Sequence, residues 1–191
     1  MSKSNHREFI KAVDGGCILY RPINQSATKY DVLRYHRRPY TMESTQSVIQ
    51  EIRQNLEPDS ISGDIRKKYP EGHQRWNRSL FGYCVPAAFS LLYLMDTEVL
   101  HPISGTDAER ENHWWLQDME TGERYDPTSD QYSQSELEFV YDTGKPKRLY
   151  SFKGRPQKRF LDLISKIQPD ATRYVTDDID HQPSSLESWL G

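Results

Sequence analysis

The run VPAAFSLLYLM, from Val85 to Met95, constrains this chain most. It is the most apolar stretch in a sequence whose mean hydropathy is −0.87. It falls well short of the ~20 apolar residues that a membrane-spanning helix needs. It therefore reads as a helix buried in a core, around which the rest must be arranged. Pro86 sits in its first turn, where a missing N–H costs nothing. Cys84 stands immediately before it.

The other elements are shorter. Cys17 to Tyr20 reads as a buried strand after the Gly15-Gly16 turn, ended by Arg21-Pro22. Glu43 to Leu56 carries Val48, Ile49, Ile52 and Leu56 near helical spacing, with Thr41, Ser44 and Thr45 as available caps. Ser60 to Tyr69 is a short helix stopped by Pro70. Glu98 to Ile103 reads as a strand, and Ser104 to Asn112 as a polar loop. His113 to Met119 and Glu123 to Tyr125 form a hairpin about Thr121-Gly122. Ser135 to Tyr141 is a helix, Lys147 to Phe152 a strand, and Pro156 to Ile167 an amphipathic helix. From Thr176 the chain turns acidic and Ser-rich. The expected organisation is one α+β domain over 1–175. Within it, 1–75 is a helical, basic part and 76–175 a catalytic core; 176–191 is a flexible acidic tail.

Composition narrows the setting. The start, MSKSNHREFIKAVDGG, lacks the apolar centre of a signal peptide. Two cysteines in 191 residues make no disulfide framework. A cytoplasmic protein with free thiols is expected, without a membrane partner. Residues 1–80 carry 14 Lys and Arg against 9 Asp and Glu, whereas 81–191 carry 11 against 19. The basic side includes Arg34 to Tyr40 and Arg66 to Trp76, where aromatics interleave with cations. That pattern can bind nucleic acid or an acidic partner, but a solvated charged face is the favoured reading and nucleic acid is not.

Chemistry concentrates around Cys84. The unpaired N–H groups of a helix start stabilise a thiolate. His113 opens an alternating strand, on which His113 and Trp115 share one face and Trp114 and Leu116 the other. Asp126 lies across the hairpin, where it would orient the imidazole. A thiol nucleophile, its base and the base's orienter are thereby available. Taken singly, each residue also has an ordinary reading: a buried cysteine, a strand-end histidine, a turn-capping aspartate. The backbone N–H of Cys84 is one candidate oxyanion donor. Asn77, Gln74 and Trp76 are candidates for a second, Asn77 first among them, and Trp115 is a candidate to shield the site. His73, Cys84, His101 and His113 lack metal-ligand spacing. No calcium loop, P-loop or dinucleotide fingerprint occurs. No metal or cofactor is expected.

Gly82, Cys84, Ala88, Leu91 and Leu92, then His113 and Trp115, then Tyr125-Asp126-Pro127-Thr128, form an ordered pattern. It resembles the core of transglutaminase-like proteins, the circularly permuted relatives of papain-like thiol enzymes. A small bacterial branch, the YunG-like proteins, is similar in its compact Cys, His-x-Trp and Asp order. The resemblance spans about Phe81 to Asp130 and departs from the family in Asp96 to Gly105, where the usual Gly-Ile-Pro-Ala-Arg run is missing. It implies a Cys-bearing helix packed on an antiparallel sheet that bears His and Asp. It also implies acyl transfer from a protein, peptide or small amide substrate through a thioester: a peptidase, amidase, deamidase or transglutaminase-type reaction; hydrolysis is favoured because the chain is small and shows no second substrate site. The alternative is an inactive module of the same fold that binds a protein or nucleic acid through its basic N-terminal part.

Overall fold

A computed structural model describes residues 10–13, 16–23, 29–147 and 156–177. The chain is mixed α+β. The apolar run forms α3 (Cys84–Leu94), and all of its residues except Val85 are buried. The first helix, α1 (Met42–Asn55), turns Val48, Ile49 and Ile52 inward; the Thr41 side chain caps it by accepting from the Ser44 N–H. A short helix, α2 (Gly63–Lys68), follows after Ser62. Near the C-terminal end, α5 (Lys158–Ile167) buries Phe160, Leu161, Leu163, Ile164 and Ile167.

These helices and two sheets enclose one apolar cluster that draws on residues from Leu19 to Ile167. Phe89 of α3 stacks on Phe160 of α5 at 5.5 Å and meets Trp114 at 5.7 Å. Each fully buried Leu or Phe here contributes about 1.5–3 kcal/mol of transfer free energy. An α3 buried on all sides is therefore the main anchor of Cys84.

The first sheet runs in the order β1 (Ile10–Val13), β2 (Gly16–Pro22), β3 (Tyr30–Tyr35), β10 (Thr172–Thr176), all antiparallel. The expectation that 1–75 is helical is corrected by it: three of its strands lie there, beside α1 and α2. The reason is visible in β3, Tyr-Asp-Val-Leu-Arg-Tyr, which is covered on both faces and so shows no clean alternation. Its Asp31 is buried with the Arg173 guanidinium of β10, at 2.8 and 2.7 Å. A charge in a buried position hides a strand from pattern reading.

The second sheet has the order β8 (Arg124–Tyr125), β7 (Asn112–Asp118), β6 (Leu100–Thr106), β9 (Lys145–Pro146). The expected hairpin is present, with Leu116 opposite Tyr125 and Gln117 opposite Arg124. The strand expected at Glu98 to Ile103 runs later, through Thr106. The polar loop shrinks to 107–111, because Asp107 Oδ1 accepts the Glu109 and Glu111 N–H groups at 2.9 and 2.8 Å. A helix, α4 (Gln134–Asp142), opens with a Ser133–Glu136 capping box and packs on β6. A two-residue parallel pair joins β4 (Arg38–Pro39) to β5 (Met95–Asp96). The strand expected at Lys147 to Phe152 lies, beyond Lys147, outside the described residues, as does the tail beyond Asp177.

Candidate active site

The second sheet has two covered faces. Trp114 and Leu116 join the main core on the α3 side. Trp115 packs with Ile103 and Val140 on the α4 side. His113, the second residue of β7, stacks on Trp115 at 5.9 Å and meets the edge of Tyr132 at 5.0 Å. Its side chain is fully buried, and that of Asp126 is 3% exposed.

His113 Nε2 lies 2.6 Å from Asp126 Oδ2. The carboxylate is saturated: Tyr141 of α4 donates its hydroxyl to Oδ2 at 3.0 Å. The Thr128 N–H and hydroxyl donate to Oδ1 at 2.9 and 3.2 Å. Tyr125-Asp126-Pro127-Thr128 is thus a strand end that runs into an Asx turn, then a 3-10 turn over Ser129–Gln131. That turn returns Gln131, itself buried, to the ring. Its Nε2 is 3.0 Å from His113 Nδ1 and 3.0 Å from the Thr128 carbonyl.

Cys84 approaches the same imidazole from the start of α3. Burial works against a charged His113. The Asp126 carboxylate outweighs it by charge and hydrogen bonding, Cys84 adds to this in the same two ways when it is a thiolate, and the His113 pKa is raised above the ordinary histidine value. Nε2 is given to Asp126, and the other ring nitrogen, Nδ1, is the one the Gln131 amide contacts. The helix start has no side-chain cap from Tyr83, and Cys84 itself is buried. Cys17, the other free thiol, sits in β2, where burial pushes its pKa up.

The sequence-predicted residues divide. Cys84, His113 and Asp126 come together. Trp115 is buried behind His113; its indole Nε1 has no partner among the described residues, and it packs the ring rather than a surface cleft. Gln74, Trp76 and Asn77 lie together in a 3-10 turn. Gln74 and Asn77 are exposed, and the Trp76 indole N–H is taken by the Tyr69 and Pro70 carbonyls at 3.0 and 3.1 Å. None of the three hydrogen-bonds to the triad among the described residues.

Sequence reasoning missed three neighbours. Gln131 and Tyr141 are brought in by turns whose geometry no spacing announces. Arg159 of α5 stands in electrostatic reach of Cys84, its guanidinium donating to Gln157 Oε1 at 2.7 Å and to the Ser60 carbonyl at 3.1 Å.

The segment before Cys84 forms an open cleft of about 620 Å³, lined by Tyr69, Trp76, Leu80, Phe81 and Tyr83, with Arg66 among its walls. All of its lining residues fall within 58–83. The basic stretches are largely drawn into ion pairs. Arg37 meets Asp96, Arg38 meets Glu51, Lys68 meets Glu111, and Arg78 meets Glu136. Arg75 is buried against Asp107 at 3.0 Å and Glu109 at 2.8 Å. Among the described residues no group of His, Cys, Asp and Glu is arranged to hold a metal, and no helix is long and apolar enough to cross a membrane. Comparisons with protein-family models, with curated proteins and with solved structures return no match.

Proposed function

We propose that this chain is a thiol enzyme of the transglutaminase-like kind, hydrolysing an amide or peptide bond. The observation that carries the reading is the buried His113–Asp126 pair, with Cys84 interacting with the same ring from the start of α3. The order Cys, His-x-Trp, Tyr-Asp-Pro-Thr supports it, as does the uncapped helix start at Cys84.

In this mechanism Cys84 Sγ attacks the substrate carbonyl while His113 Nδ1 takes the thiol proton. Asp126 holds Nε2–H and stabilises the imidazolium. The Cys84 N–H, at the positive end of α3, faces the developing oxyanion. Collapse of the tetrahedral intermediate breaks the C–N bond; His113 returns the proton to the leaving amine and a thioester remains. Water then attacks, its proton passes to Nδ1, and the acid leaves with the thiol restored.

Iodoacetamide labelling tests the reading at pH 6–7, resolved by site with mass spectrometry. Cys84 is expected to react faster than Cys17, and His113→Ala to slow Cys84 alone. Equal, slow labelling of both thiols would sink the proposal. A salt-dependent gel shift with RNA or DNA in that case points to a binding module.

A further inference from the structure

One side chain at this site has no part in the mechanism above. Gln131 is 5% exposed, and its amide nitrogen has two hydrogens and two acceptors. One is the Thr128 carbonyl at 3.0 Å; the other is His113 Nδ1 at 3.0 Å. A carbonyl oxygen only accepts, so the Thr128 contact fixes which end of the amide faces the ring. Nδ1 must then be an acceptor too, with the ring proton on Nε2 toward Asp126. A charged imidazole would set its Nδ1–H against the Gln131 N–H. Rotating the amide would present Oε1 to Nδ1–H but set it against the Thr128 carbonyl.

The groups facing His113 therefore pull in opposite directions. Asp126, with Tyr141 and Thr128 behind it, and Cys84 favour the charged ring. Tyr132 offers only its ring edge, while its hydroxyl reaches toward Asp107 at 3.5 Å. Arg159 acts on Cys84 from α5. Gln131 faces Nδ1 as a donor.

We propose that Gln131 is a positioning residue that competes with Cys84 for His113 Nδ1, keeping the resting site as thiol and neutral imidazole until its amide is displaced. This rests on the triad reading above. In that reading the Gln131 amide has to leave Nδ1 when the thiol proton arrives, so the residue sets the thiolate population without touching substrate. The sequence D-P-T-S-D-Q carries the device in six residues: Asp126 takes one ring nitrogen, and the 3-10 turn returns Gln131 to the other.

The test uses the full chain, ¹⁵N-labelled at histidine, and compares wild type with Gln131→Glu and Gln131→Leu. Gln131→Glu replaces the donor with an acceptor at nearly constant shape; Gln131→Leu removes both. Two readings are taken: the His113 ring ¹⁵N shifts from pH 5 to 9, and the site-resolved Cys84 alkylation rate over the same range. Both variants are expected to move His113 toward the imidazolium. At pH 6 Cys84 alkylation should accelerate about tenfold, the equivalent of one pH unit in the thiolate titration; Cys17 should be unchanged. Unaltered His113 shifts in folded Gln131→Glu would overturn the proposal. So would slower Cys84 alkylation in both variants, which a merely structural role predicts. If Gln131→Leu does not fold, Gln131→Glu decides alone. Failure of the enzyme reading shows separately, as absence of acyl turnover with the Gln131 effect on the ring intact.

Discussion

His113 and Cys84 meet at one site but are held by different means. Around His113 the restraint is polar and dry. Asp126, Thr128, Gln131 and Tyr141 are linked by hydrogen bonds of 2.6 to 3.2 Å, and the ring is fully buried. Around Cys84 the restraint is apolar. Its position follows from α3, packed against α1, α5 and β7, and from a preceding segment whose Gln74 and Asn77 are open to solvent. A base must keep one tautomer and one orientation, which directional bonds enforce. A nucleophile, the role proposed for Cys84, needs a fixed origin, which a buried helix provides. In the enzyme proposed above, the polar network would set reactivity and the 58–83 segment, which carries a cleft, would be the surface offered to substrate.

The comparison is broken most directly by His113→Ala. Cys84 alkylation at pH 6–7 should fall by about 10²- to 10⁴-fold, the usual contribution of a positioned base, while Cys17 labelling stays unchanged. Asp126→Asn should act in the same direction by another route. It removes the carboxylate that outweighs burial, so the His113 pKa drops, and an NMR titration of the ring should register the fall. A variant with normal Cys84 reactivity and no His113 shift would mean the two regions are not coupled.

Next in size is the fastening between the regions. Arg75 lies in the turn that leads to Cys84; Asp107 and Glu109 lie in the loop that leads to His113. Arg75 and Asp107 are both buried, so Arg75→Ala strands a carboxylate without its partner. We expect a loss of about 3–5 kcal/mol in denaturant unfolding. Arg75→Met with Asp107→Asn should recover part of it, since the amide removes the stranded charge while its oxygen still accepts the Glu109 and Glu111 N–H groups. Failure of that rescue would assign Arg75 a role beyond the pair.

Behind the ring, Gly144→Ala probes packing rather than charge. An added Cβ would come within 2.6–2.8 Å of Trp115 Cζ2, Trp115 Cη2 and the Tyr141 carbonyl. Trp115 supports His113, and Tyr141 holds Asp126. Overpacking of this kind costs about 1–3 kcal/mol. Because the displaced groups lie behind the triad, Cys84 alkylation should also slow. Loss of stability with unchanged alkylation would show that Trp115 does not orient the ring.

Legibility in the sequence followed burial and period. The run Val85 to Met95 announced α3 because no polar residue but Ser90 interrupts it. The hairpin was readable because Thr121-Gly122 marks its turn, and Gly122 indeed adopts φ 80°. The pairing of His113 with Asp126 followed from that hairpin alone. Gln131 and Tyr141 were not readable, since a 3-10 turn and a capped helix return them to the ring from outside any periodic pattern. The strand β3 was hidden because Asp31, buried and neutralised by Arg173, puts a polar letter at a buried place, and β10 because none of its residues is buried. Asn77 was favoured for its amide chemistry, but chemistry does not fix direction: the 3-10 turn leaves that side chain exposed, while Arg75 in the same turn points inward.

The smallest expected effect concerns an ion pair distant from this contrast between buried and open restraint. Arg38 grips Glu51 of α1 with two contacts of 2.6 Å, yet each side chain is 30% exposed. Water screens such a pair, so Arg38→Ala should cost at most about 1 kcal/mol, against the several expected for Arg75. The hydrogen bonds and charge of Arg38 lower the Glu51 pKa below its ordinary 4.5 despite partial burial. A carboxylate with a depressed folded-state pKa stabilises the fold above its unfolded value and loses that contribution as pH falls through the folded one. The deficit of Arg38→Ala relative to wild type should accordingly be constant near neutrality and shrink below pH 4.5, in denaturant midpoints measured from pH 7 to pH 3. A deficit as large as that of Arg75→Ala would show that exposure does not separate the two kinds of pair, and the contrast between dry and open regions would fail on energetic grounds.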